Sequence, residues 1–258
     1  MVDIEKHNRG AWDAQVEKGN PWTVPVGPEI VARARQGVVE VVLTPTKTVP
    51  RSWYGALAGS DVLCLASGGG QQAPVLAAAG ARTTVLDNSQ GQLDRDQQVA
   101  EREGLEIRLE LGVMADLSRF GDASFDLIVH PVSNCFAPEI RPVWAECARV
   151  LRPGGALLAG FNNPWFYVFD MARYDAGELV VRHTLPYADA THLTEAELEA
   201  RIEAREPLEF SHTLEDQIGG QLDAGLVVTG FYEDAAPGEL AARYAPMFIA
   251  TRAVKLMP

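Results

Sequence analysis

The stretch Asp61–Gln72, DVLCLASGGGQQ, most constrains what this chain can become. A short apolar run, Asp61–Leu65, ends at a cluster of small residues and reads as a buried parallel strand. A helix over Gln71–Ala79 starts at once, with Pro74 tolerated because it falls in the first turn. Between them, Ala66-Ser67-Gly68-Gly69-Gly70 makes a tight turn. Glycine lacks the Cβ that would hold a ligand off the backbone, and a helix N-terminus presents free N–H groups. Many classes of nucleotide binder carry such a turn, and a purely structural turn is the plain alternative.

The strand-helix rhythm continues downstream. Gly80 closes the helix and Thr83–Leu86 is the second strand, followed by a helix over Leu93–Arg102. Ile107–Leu111 is the third strand and Phe125–Val129 the fourth. A helix over Ile140–Leu151 is stopped by Arg152-Pro153-Gly154-Gly155, and Ala156–Phe161 is the fifth strand. This alternation predicts a parallel sheet with helices on both faces. Leu226–Tyr232 and Pro246–Val254 read as two more strands whose connection is too short for a helical crossover, so they are expected as antiparallel neighbours. The expected class is therefore α/β: a doubly wound sheet, mostly parallel, finished by a C-terminal antiparallel pair.

One domain over 1–258 is expected, in four parts. Residues 1–59 form an N-terminal extension carrying Trp12, Trp22 and Trp53; residues 60–163 are the core. Residues 164–212 are a cap insertion that holds a helix introduced by the capping box Thr194-x-x-Glu197. Residues 213–258 hold a C-terminal helix and the strand pair.

Charge and composition close off several function classes. A formal charge of −13 with a pI near 4.8 speaks against nucleic acid and against an anionic membrane surface. No apolar run approaches the ~18–20 residues that cross a bilayer, and no leader is read at the start, so the cytoplasm is the default. Three cysteines without C-x-x-C spacing and five histidines without ligand spacing lead to an expectation of no metal.

Two acids sharpen the reading. Asp87 ends the second strand, 19 residues after Gly68, where a carboxylate accepts ribose hydroxyls in dinucleotide-type folds. Asp116 follows the third strand in GVMADL, where Ala115-Asp116 is placed to meet an adenine edge. An acid at either place is otherwise a solvated turn residue.

These residues resemble the class I S-adenosylmethionine methyltransferases of the type 11 kind. Ala66–Gly70 resembles their first motif, in which a glycine usually stands at the place of Ala66 and a cysteine at that of Ser67. Asp87 matches the ribose-binding acid and Ala115-Asp116 the adenine pair. FDLIVHPVSNCF at Phe125–Phe136 and RVLRPGGALL at Arg149–Leu158 are similar to two later signatures. The likeness is close over 60–163 and loose over 213–254. It implies a Rossmann-like fold and S-adenosylmethionine as cofactor, leaving S-adenosylhomocysteine as product. It also implies a cofactor-binding set of Ala66, Ser67, Gly68, Gly69, Gly70, Gln71, Asp87, Asn88, Ala115, Asp116, Leu117, His130 and Asn134.

His130, just past the fourth strand, is the candidate general base; its alternative role is to orient the loop. Asn134 holds cofactor or substrate, or is a turn residue. Cys135 is rejected as a nucleophile, because direct methyl transfer needs no covalent enzyme intermediate, and Cys64 is assigned to the core. Trp12, Trp22, Trp53, Tyr54, Trp165, Phe166 and Tyr167 wall a pocket or pack the extension and cap onto the core. His183, His192 and His212 are placed on the cap surface, and Glu195–Glu206 on a solvated helix face. The functional expectation is methyl transfer to a small molecule. The alternatives are a nicotinamide-dependent oxidoreductase, which shares the glycine turn and Asp87, and a non-catalytic adenosylmethionine-binding regulator.

Overall fold

In the computed structural model, which describes residues 2–257, all seven strands join one sheet in the order β3-β2-β1-β4-β5-β7-β6. The strands are β1 Asp61–Leu65, β2 Arg82–Asp87, β3 Ile107–Leu111, β4 Phe125–His130, β5 Leu151–Asn162, β6 Leu226–Asp234 and β7 Phe248–Lys255. β1 to β5 run parallel. β7 inserts antiparallel between β5 and β6, which is the expected C-terminal pair. The strand order reverses at β1 and β4, and ligands of open α/β sheets bind at the carboxyl ends beside such a switch.

The alternation of side chains sorts the core into two layers. Val62, Cys64, Val85, Leu127 and Val129 pack on one face against α3 (Gln72–Ala78), Leu93 of α4 (Gln90–Glu103) and residues 39–57. Leu63, Leu65, Leu86, Ile128 and Leu157 pack on the other against Val143, Trp144 and Cys147 of α5 (Arg141–Val150). Cys64 is fully buried there, as the reading of it as core requires.

Most boundaries move by one to three residues, and one departure changes the reading. β5 begins at Leu151, so Arg152–Gly155 lies within the strand and does not precede it. The ladder pairs Phe125 with Leu151 and then Leu127 with Ala156, so these residues bulge out of register. Gly155 is held there by close backbone: a Cβ on it would lie 2.9 Å from the Arg152 carbonyl oxygen.

α1 of the extension and part of the insertion reach the carboxyl edge, while residues 39–57 of the extension pack on the sheet face. α1 (Ile4–Lys18) is capped by Asp3 and ends at Gly19 in the left-handed region; α2 (Pro28–Arg35) follows. The insertion carries α6 (Met171–Asp175), α7 (Asp189–His192) and α8 (Glu195–Glu203). The Thr194/Glu197 capping box forms, and α8 buries none of its residues, in keeping with a solvated face. α9 (Gly220–Asp223) packs on α5 and leads into β6. Among the described residues no helix is long and apolar enough to cross a membrane.

Candidate active site

A cavity of about 530 Å³ opens at the carboxyl ends of β2, β1, β4 and β5. Small-molecule sites fall in this size range. Its walls come from the strand tips and the 131–142 loop, from α1, Trp22 and residues 42–45 of the extension, and from Glu209 of the insertion.

At the β2 end the wall is Ser67, Gly68, Asp87, Asn88, Gln92 and Ala115. Gly68 N–H donates to Asp87 Oδ2 at 2.8 Å, and Ser89 N–H to Asp87 Oδ1 at 2.9 Å. Gly69 N–H donates to the Gln92 carbonyl at 3.0 Å and to Asp96 Oδ2 at 3.1 Å. Two of the loop amides therefore turn toward buried acids and are not left as a phosphate cradle. No side chain fits on this turn: a Cβ on Gly68 would lie 2.6 Å from Gln92 Cβ, and one on Gly69 2.6 Å from the Trp22 carbonyl oxygen. Ala66 sits at φ +46°, a left-handed conformation that costs an L-residue about 1–2 kcal/mol.

Burial pushes the Asp87 carboxyl up to about 6, against the pull of the Ser89, Gly68 and Asn88 amides. Asp96 is also pushed up by burial, and its Oδ1 has no partner. Gln92 Oε1 is likewise buried and unpartnered on the cavity wall.

Of the expected set, Ala66, Ser67, Gly68, Gln71, Asp87, Asn88 and Ala115 reach the cavity. Gly69 and Gly70 stand behind the turn, against Trp22, Pro25 and Val99. Asp116 is exposed beside the cavity and accepts from Ser118 N–H at 3.0 Å, so Val113, Met114 and Ala115 form that wall. Leu117 is fully buried core, with its N–H bonded to Glu146 Oε2.

The structure corrects the placement of His130. It is fully buried and does not line the cavity. Along β4 it shares parity with Ile128, so its ring turns into the α5 layer and meets Trp144 edge-on at 5.9 Å. Nδ1 lies 2.8 Å from the Leu65 carbonyl oxygen, and Nε2 contacts the side-chain amide of Asn134. Burial holds the imidazole below its ordinary range and so neutral. Both neighbours are oxygens, Leu65 O and Asn134 Oδ1, so the neutral ring, which donates once, bonds one of them at a time, while Asn134 Nδ2–H donates to Gln217 Oε1. Asn134 is equally buried, tied also to Gln217 and by its carbonyl to His212 Nε2. His212 thus packs on this loop and is no cap-surface residue. Both His130 and Asn134 shape the β4 tip from behind.

The aromatic candidates divide. Trp12, T-stacked on Phe136 at 5.1 Å, and Trp22 line the cavity. Trp53 packs on Tyr232, Tyr54 joins the same core layer, and Trp165 and Phe166 join the cluster around Phe169 and Tyr174. Tyr167 lies behind the β5 end of the wall. There Asn162 Nδ2–H donates to Tyr167 Oη at 2.7 Å, and Tyr167 O–H donates to Glu209 Oε2 at 2.9 Å. Glu209 and Asn162 both line the cavity, and sequence reasoning missed both. The one signal for Glu209 was an acid between two apolar neighbours, Leu208 and Phe210.

α1 locks the roof. Asn8, 2% exposed, donates to the Phe136 and Leu208 carbonyls and accepts from Leu208 N–H. Asp13 accepts from Ser89 Oγ–H and Gly91 N–H, so the chain's own carboxylate occupies the N-terminus of α4.

Fold and site together define a Rossmann-like nucleoside-binding protein whose pocket continues past the nucleoside end. A family model described as a methyltransferase domain matches residues 63–159. The uncharacterized methyltransferase YbaJ of Bacillus subtilis is 51% identical over 99% of this chain and 100% of its own length. A methyltransferase structure from Mesorhizobium loti superposes with TM-score 0.62 at 17% identity, covering 79% of this chain and 94% of the other. A geranyl diphosphate C-methyltransferase from Streptomyces coelicolor gives 0.56 at 14% identity, covering 77% and 74%. At such identities these two structures establish the fold alone. The chain belongs to the class I S-adenosylmethionine-dependent methyltransferases of the type 11 kind, and S-adenosylmethionine is its cofactor.

Proposed function

We propose that this chain transfers the methyl group of S-adenosylmethionine to a small-molecule acceptor by direct in-line displacement. The observation that carries the proposal is the continuity of one cavity from Asp87 and Ala115 to Asn162 and Glu209. Asp87 and Asn162 stand at the tips of strands three places apart in the sheet, a span of about 14 Å at ~4.8 Å per strand. That span gives a nucleoside and an acceptor separate ends of one chamber.

The residues present suit the cofactor. Asp87 is aimed to accept ribose hydroxyls, Gln92 Oε1 offers an unused acceptor, and Val113–Ala115 form an apolar wall for adenine. Ser67 and the glycine turn leave room for the amino-acid tail, with Gln71 and Asn88 bordering it. A pyrophosphate would find the Gly68 and Gly69 amides already taken and an acid beside them, which disfavours a nicotinamide dinucleotide. When bound, the cofactor supplies an electrophilic methyl group on a positively charged sulfur. The protein's part is to hold the acceptor in line and exclude water. Positioning of this kind contributes ~7–11 kcal/mol where alignment is ideal. His130 enters this scheme as a positioning residue for the β4 tip, because its ring never reaches the cavity.

The chain acts in this reading as one catalytic unit in the cytoplasm: core 60–163, roofed by the extension 1–59 and the cap 164–212. The charge of −13 supports a small molecule and not a nucleic acid as partner. Incubation with isotopically labelled methyl donor and a metabolite extract tests the proposal. A labelled small molecule is expected. Donor binding by calorimetry with no labelled product from any extract would favour the non-catalytic regulator instead.

A further inference from the structure

Four carboxyl groups reach the cavity wall, those of Glu5, Asp87, Glu139 and Glu209, and burial keeps the Cys135 thiol on the same wall uncharged. Among the described residues no lysine, arginine or histidine lines it. Glu5 and Glu139 are exposed, and Asp87 belongs to the nucleoside end. Glu209 stands apart from them. Protein surrounds it, yet 30% of its side-chain surface stays accessible, on the side that forms the cavity wall.

The carboxylate of Glu209 is fixed on two sides. Tyr167 donates to Oε2, and Tyr167 is itself stacked on Tyr187 at 5.6 Å. Arg201 meets Oε1 at 3.2 Å, but the same guanidinium lies 3.0 Å from Asp189 Oδ2. One cation is thus shared by two carboxylates, of which Asp189 is only 3% exposed. The cluster keeps an uncompensated negative charge, and Glu209 is its only carboxylate on the cavity wall. The cavity also carries apolar walls, Trp12, Phe136, Pro131, Val132 and Phe248, beside the amides of Asn8 and Asn162.

We propose that Glu209 receives the methyl acceptor, and that the acceptor is an apolar amine arriving as its ammonium. The inference rests on the methyl-transfer reading of the same cavity. An anionic acceptor would meet the Glu209 carboxylate with no lysine, arginine or histidine on the cavity wall to receive it. An ammonium supplies the missing positive charge, while its carbon skeleton fills the apolar walls. Methylation then balances as follows. Glu209 takes one proton from the ammonium: an N–H bond breaks and an O–H bond forms. The freed lone pair forms the N–C bond as the C–S bond breaks, and that bonding pair stays on sulfur. The product is a methylated ammonium, and Glu209 returns its proton to water. Burial raises the Glu209 carboxyl above its usual range, bringing it nearer to the amine it must deprotonate.

Calorimetry on the full chain saturated with S-adenosylhomocysteine tests this without turnover. Two matched sets serve as probes: 2-phenylethylamine, 2-phenylethanol and 3-phenylpropionate, and 1-hexylamine, 1-hexanol and heptanoate. In at least one set the amine is expected to bind about tenfold more tightly than its alcohol and acid, the scale of a hydrogen bond to a charged group. Glu209→Gln is expected to erase that preference while leaving S-adenosylhomocysteine affinity unchanged. Equal or tighter binding of the alcohol or acid in both sets overturns the proposal, and this arm needs only the native protein. So does an amine preference that survives in Glu209→Gln. Failure of S-adenosylhomocysteine itself to bind would instead overturn the methyl-transfer reading beneath it.

Discussion

At the Asp87 end of the cavity the wall follows three strand tips in chain order: Ser67–Gly68, Asp87–Asn88 and Val113–Ala115. At the Glu209 end it is drawn from α1, the tip of β5 and the far side of the insertion: Asn8, Asn162 and Glu209. The first end is held by backbone amides on buried acids, and its shape is part of the sheet. The second is held by side chains that bridge segments about 200 residues apart, as Asn8 and Leu208 do. In the proposed reading the cofactor takes the fixed end, and the acceptor is selected at the end assembled from the extension and cap.

The sharpest way to break this comparison is Asp87→Ala. It removes the ribose acceptor and releases the Gly68 and Ser89 amides together. Cofactor affinity is expected to fall by about 2–3 kcal/mol, read by calorimetry. Unchanged affinity would put the nucleoside elsewhere.

Next in size is Asn8→Ala, which leaves the Leu208 N–H and carbonyl unpaired in the interior. A loss of about 2 kcal/mol is expected, lowering Tm by roughly 4–8 °C. A Tm within 1 °C or so of the native value would show that the roof is not fastened there.

A smaller effect follows from Asp87 titrating at about 6. Ribose hydroxyls favour the ionised carboxylate, so cofactor affinity should be flat above that pH. Below it, affinity should fall toward tenfold per pH unit, and Asp87→Asn should abolish the break. The stability linkage has the opposite sense. The folded carboxyl holds its proton more tightly than the unfolded chain does, so the Asp87 contribution to stability is present at low pH. It is lost as pH rises from about 4 through about 6.

The smallest change is expected from Ala66→Gly. Relief of the left-handed strain at φ +46° is partly offset by glycine's greater freedom when unfolded, for a net gain of about 0.5–1 kcal/mol. A loss of stability would show that the Ala66 methyl group packs usefully in the turn.

The same contrast explains what the sequence could show. β1 and β3 coincide with the expected runs because an apolar stretch bounded by glycine or polar residues has few other fates. The wall at the Asp87 end was legible because its residues follow their strands directly. His130 was misplaced because position at a strand tip does not say which way a side chain turns. Parity with Ile128 did, since that face is packed by α5. Glu209 and Asn8 were invisible: each is ordinary where it stands, and only the folding of the insertion and α1 over the sheet brings them to Asn162.

A crystal structure of the chain with S-adenosylhomocysteine tests the central claim most directly. The ribose is expected on Asp87 and the adenine along Val113–Ala115, with the sulfur pointing across the β4 tip toward Asn162 and Glu209. A nucleoside bound in any other orientation, or outside this cavity, would contradict it.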